Sequence, residues 1–119
     1  SQGEMAALCA AGMGDFRETA PAYWRVLNIT PKYEETGRLL FAWATEEQVT
    51  PYLAEHPRVY LAMAIGPSAV ILGGDKDQLL LIVDKLKAQQ CLASILPYPA
   101  IHTPMLSHLR GELDKALEG

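Results

Sequence analysis

The sequence predicts an α+β chain in which a β-α-β-β-α-β unit is flanked by helices. Three observations lead there. Residues 37–44 and 58–65 alternate apolar and other side chains with the period of two that marks a strand. Thr45 with Gln48, and Asp75 with Gln78, are capping signatures that open a helix directly after an apolar strand-like run. Gly66-Pro67-Ser68 separates two strand-like runs by no more than a tight turn.

Taken in order, residues 4–13 are good helix formers stopped by Gly12 and Gly14. Residues 16–28 read as a second helix with Pro21 near its first turn, followed by a polar connection, NITPKYEETG. GRLLFAWA at 37–44 places Leu39, Phe41 and Trp43 on one strand face. TEEQVTPYLAEH is a helix that Pro51 is expected to shorten or kink. Residues 58–65 and 68–74 are the next strands, and DKDQLLLIVDKLKAQQ is the clearest helix in the chain. CLASILPY at 91–98 is the last strand, ended by Pro97 and Pro99. Thr103 as N-cap and Pro104 at the first helical position then open one helix over PMLSHLRGELDKAL. From residue 37 this order is the ferredoxin-like split βαβ pattern.

The 119 residues point to one core. A net charge of −4, from 10 basic and 14 acidic residues, argues against nucleic acid as a partner. No apolar run is long enough to span a bilayer, and no signal peptide precedes the first helix, so a cytoplasmic protein without membrane contact is expected. Cys9 and Cys91 sit in apolar runs and read as two buried thiols in a reducing compartment. His56, His102 and His108 lack the spacing of a metal site, so no metal is expected; His56 and His108 read as solvated.

Three residues carry candidate chemistry. Ser1-Gln2-Gly3 supplies the last three positions of a G-x-S-x-G nucleophile elbow, where the backbone N–H after the serine becomes an oxyanion donor. His102, between a strand end and a helix start, has a side chain suited to general base work; the bland alternative is a hydrogen-bonded histidine at a helix start. Arg25, in AYWRVL, has the planar guanidinium that grips carboxylates, or else reaches solvent from an amphipathic helix.

Their order resembles a known family. SQGEMAALCAAGM is similar to the acyltransferase motif G-H-S-x-G-E from its nucleophile onward, with Ser1, Gln2, Gly3, Glu4, Ala7, Ala11 and Gly12 in register. AYWR resembles the helix whose arginine holds the malonyl carboxylate, about one residue early, which implies a short deletion. GRLLFAWATEEQV, AIGPSAVILGGDKDQL and PAIHTPMLSHL resemble the first strand and helix of the small subdomain, its N-G-P-x-x-V-x-x-G-D stretch, and the catalytic-histidine segment. The chain is identified as a member of the malonyl-CoA:ACP acyltransferase family, nearer to the acyltransferase domains of polyketide synthases than to a free-standing enzyme.

The resemblance implies acyl transfer from coenzyme A to the phosphopantetheine thiol of an acyl carrier protein, as in polyketide or fatty acid biosynthesis. Ser1 would be nucleophile, His102 base, the Gln2 backbone N–H an oxyanion donor and Arg25 the carboxylate clamp. It implies no bound cofactor, coenzyme A being substrate. The carrier protein and the rest of the synthase chain are the implied partners. Residues 1–36 are then a helical part of a larger α/β-hydrolase-like subdomain, 37–98 the ferredoxin-like subdomain, and 99–119 the histidine loop and following helix of the larger one. Ile65 stands where the family has Asn, and PAIH matches neither H-A-F-H nor Y-A-S-H, which leaves the extender unit open. The isolated chain is expected not to turn over substrate. A non-catalytic docking module and an inactive acyltransferase-like domain are the alternatives.

Overall fold

The structure, a computed structural model, describes residues 2–29 and 37–118. Most of the connection NITPKYEETG, from residue 30 to 36, lies outside the described residues. Helices α1 (Gln2–Ala10) and α2 (Phe16–Leu27) come first, then β1 (Arg38–Ala42), α3 (Glu46–Glu55), β2 (Val59–Gly66), β3 (Ala69–Gly74), α4 (Lys76–Ala88) and β4 (Ala93–Leu96). A 3-10 helix, Pro104–Leu109, leads into α5 (Arg110–Glu118). The chain divides into two compact units, residues 1–31 with 109–119, and residues 32–108.

In the first unit, α1 ends in a Schellman motif. Met13 N–H reaches back to the Leu8 carbonyl and Gly12 N–H to that of Cys9. This requires Gly12 at φ +73°, where a residue without a Cβ carries no steric penalty. Asp15 then caps α2 by accepting from Arg17 N–H at 2.7 Å. Pro21 sits in the second turn of α2, further in than its expected place near the first. Cys9 lines a groove of about 270 Å³ between α1 and α2, with Met5, Phe16, Tyr23 and Trp24.

The second unit holds a four-stranded antiparallel sheet in the order β2-β3-β1-β4. Leu40 opposes Leu72, and Ala42 opposes Val70, so these four share a face. With Val49 and Tyr52 of α3 and Leu79, Ile82, Val83 and Leu86 of α4 they form the core. Burying side chains of this size contributes roughly 1.5–3 kcal/mol each. Such packing explains why α3 runs unbroken through Pro51, where a shortened or kinked helix is expected from the residue alone. The contacts of Val49 and Tyr52 offset one lost backbone hydrogen bond.

The caps anticipated in the sequence are made. Thr45 Oγ1 accepts from Gln48 N–H at 3.1 Å, and Gln48 Oε1 accepts from Thr45 N–H at 2.8 Å. Asp75 accepts from the N–H groups of Asp77 and Gln78. At the far end of α4, Gln90 takes the left-handed position of another Schellman motif, with Cys91 N–H bonded to the Leu86 carbonyl. Lys85 pairs with Glu55 at 2.7 Å and holds that carboxyl below its usual range by hydrogen bond and charge.

Three expectations change. Cys9 and Cys91 are half-buried rather than buried, and neither forms a disulfide. His56 is half-buried rather than solvated: it caps α3, and its Nε2 is buried with no hydrogen-bond partner among the described residues. As expected, Leu39, Phe41 and Trp43 share a face, and it is the one turned away from α3 and α4. The single helix expected after Thr103 is a 3-10 turn followed by α5. No helix among the described residues is long and apolar enough to cross a membrane.

Gly74 is hemmed in by the backbone of Arg58 and Val59, so a Cβ there would run into the Arg58 carbonyl oxygen. Gly74→Ala should therefore cost about 1–3 kcal/mol in chemical denaturation. Gly66→Ala, in open space at the other end of β2, should cost less than half as much. Equal losses would refute this close approach.

Candidate active site

Ser1 lies outside the described residues, as does the side chain of Gln2. The backbone of Gln2 is the first residue of α1, and the first N–H groups of a helix have no partner within it. That is the position from which an N–H can meet developing negative charge. Glu4 falls in the same first turn.

Arg25 is on the last turn of α2, half-buried. Its Nε–H donates to the Ala116 carbonyl at 2.5 Å. Ala116 belongs to the last turn of α5, where carbonyls lack helical partners, so the guanidinium caps that helix and meets the negative end of its dipole. This contact joins residues 91 positions apart, which no local pattern reveals. The Nη groups are the fork that grips a carboxylate.

His102 is exposed, and its backbone is left-handed, at φ +59°. Neither ring nitrogen has a hydrogen-bond partner among the described residues. Non-glycine residues resist this conformation, though His adopts it more readily than most. The neighbouring chain imposes it. Ile101 N–H turns back to the Pro99 carbonyl at 2.7 Å, Ala100 is buried, and Thr103 hydrogen-bonds on both sides. Those bonds also explain the 3-10 start after Pro104: Leu106 N–H bonds the Thr103 carbonyl, three residues back. His108, exposed as expected, donates from Nδ1 to the Met105 carbonyl at 3.1 Å.

Ile65 is exposed at the end of β2 and lines a shallow groove of about 370 Å³ with Phe41, Trp43, Pro67 and Ala69. Phe41 and Trp43 meet edge to face with centroids 5.2 Å apart, and Trp43 keeps 57% of its surface exposed. An apolar groove thus stands where the resemblance would place a polar Asn. Among the described residues no group of three or more His, Cys, Asp or Glu comes together to hold a metal ion.

No protein-family model matches the sequence. Curated relatives do. The highly reducing polyketide synthase FUM1 of Gibberella moniliformis is 33% identical over 123 residues, taking in 100% of this chain and 5% of its own length. The 6-methylsalicylic acid synthase of Aspergillus niger is 27% identical over 123 residues, again 100% of this chain and 7% of its own. Among solved structures, the acyltransferase domain from module 8 of the salinomycin polyketide synthase superposes with a TM-score of 0.88. It is 25% identical and takes in 100% of this chain and 29% of that one. Over its whole length the chain is similar to an acyltransferase domain of a polyketide synthase.

It also shares its fold with the malonyl CoA-acyl carrier protein transacylase of Clostridium perfringens, at a TM-score of 0.81 and 22% identity over 98% of this chain and 39% of that one. It spans well under two thirds of each of these relatives.

The left-handed backbone at His102 is a cost that a glycine would not carry. His102→Gly should raise stability by about 1 kcal/mol, read as a melting temperature a few degrees higher. An unchanged or lower melting temperature would mean that the ring, not the backbone, is what holds this loop.

Proposed function

We propose that these residues form part of an acyltransferase that moves a malonyl-type extender unit from coenzyme A to an acyl carrier protein through a seryl ester. The observation that carries this reading is the match of the whole chain to a polyketide synthase acyltransferase domain. Ser1, Arg25 and His102 follow one another in that family's order. The β-α-β-β-α-β unit we read as the ferredoxin-like small subdomain, a reading supported by its strand order.

In this proposal Ser1 Oγ attacks the thioester carbonyl while His102 takes its proton. The N–H of Gln2 stabilises the oxyanion. The tetrahedral intermediate collapses, breaking the C–S bond, and coenzyme A leaves as a thiol with the proton from His102. The phosphopantetheine thiol then gives its proton to His102 and attacks the seryl ester. Serine departs, recovering its proton. Arg25 holds the free carboxylate of the acyl group through its Nη groups, with its Nε committed to Ala116. These residues alone are expected to be inactive without the rest of the synthase chain.

The test is acylation of the full-length synthase by radiolabelled malonyl-CoA. Wild type should carry label, Ser1→Ala should lose it, and His102→Ala should slow labelling at least 100-fold. Arg25→Ala should lower kcat/KM for malonyl-CoA at least tenfold while leaving acetyl-CoA within threefold. Label that persists in Ser1→Ala would overturn the nucleophile assignment. An unlabelled wild-type chain would favour an inactive acyltransferase-like domain.

A further inference from the structure

Thr103 reads from the sequence as an ordinary helix cap, but the structure gives it more to do. It is a buried polar residue, only 9% exposed, beside an exposed histidine in a strained backbone. Its Oγ1 donates to the Ala100 carbonyl at 2.6 Å and accepts from Met105 N–H at 3.3 Å. One bond closes the turn before His102, and the other starts the helix after it. Both acceptor and donor are backbone groups, so a single hydroxyl fixes the chain on either side of the imidazole.

The methyl of Thr103 is held as firmly. It lies over Gly73 of β3, close enough that a Cβ at residue 73 would come within 2.5 Å of Thr103 Cγ2 and 3.1 Å of Leu39 Cδ2. Leu39, opposite Gly73 in the register, is itself buried on this face. The absent Gly73 side chain therefore leaves the space that Thr103 fills. The hydroxyl shapes the loop and the methyl anchors it to the sheet.

We propose that Thr103, seated on Gly73, is a positioning residue for His102, holding the imidazole in its left-handed presentation for proton transfer. The proposal rests on the reading of His102 as the base.

Acyl transfer by the full-length synthase tests it with three variants. Thr103→Val keeps the shape and the methyl but loses both hydrogen bonds. It should lower kcat for malonyl transfer at least 30-fold with KM for malonyl-CoA within twofold. Thr103→Ser keeps the hydroxyl and should stay within about fivefold of wild-type kcat. In a His102→Ala background, Thr103→Val should cost less than twofold further, because a residue acting through His102 has nothing left to position. Should Thr103→Val fail to fold, Thr103→Cys, with a weak donor in the same place, substitutes for it with the same expected split.

Unchanged kcat in Thr103→Val, or Ser performing no better than Val, overturns the positioning role. So does a full additional loss in the His102→Ala background. If His102→Ala itself transfers at the wild-type rate, the base reading falls, and the positioning role falls with it. A dead His102→Ala alongside an unaffected Thr103→Val removes only the positioning role.

Discussion

The antiparallel pairing of β1 with β3 is the constraint on which the second unit depends. β1 is central, bonded to β3 on one side and β4 on the other, so its register dictates what each face of the sheet presents. Leu40 opposite Leu72 and Ala42 opposite Val70 close the core against α3 and α4. Leu39 opposite Gly73 prepares the other face for the loop that bears His102. A slip of one residue would turn the core outward and place a side chain where Thr103 needs none. Core and candidate site are thus coupled through one hydrogen-bonded ladder.

The face turned away from α3 and α4 is divided. Around Leu39 and Gly73 it is covered by the segment carrying Ala100, His102 and Thr103. Around Phe41, Trp43 and Ile65 it is open and apolar. Physical necessity differs between the two parts. The covered part accommodates a residue in a costly conformation because buried contacts on both sides over-determine it. The open part satisfies no requirement of this unit's own core.

Strands, helices and caps were legible because each has a local cause. The capping box at Thr45 and Gln48 is written in residues three apart, and Asp75 caps α4 through its own neighbours. Pro51 was misleading because its cost is local, whereas the packing of Val49 and Tyr52 that outweighs it is not. Residues 91–98 read as a strand twice as long as the observed β4, since the pairing partner sets the ends and no local residue announces them. Ser1, His102 and Arg25 were singled out as candidates through family order and residue chemistry. The commitment of Arg25 to Ala116, across 91 positions, left no trace in either.

By itself the sequence determined the alternation of elements, their caps, the acyltransferase resemblance and the residue types available for chemistry. These follow from spacing within a turn or a strand, which local sterics and hydrogen bonding dictate. Tertiary structure alone decided which face of β1 is core and that His102 carries backbone strain. It also decided that Gly73 is small for the sake of Thr103, 30 positions away. Such facts depend on which distant segments come to touch, and the free energy that selects those contacts belongs to the folded chain as a whole.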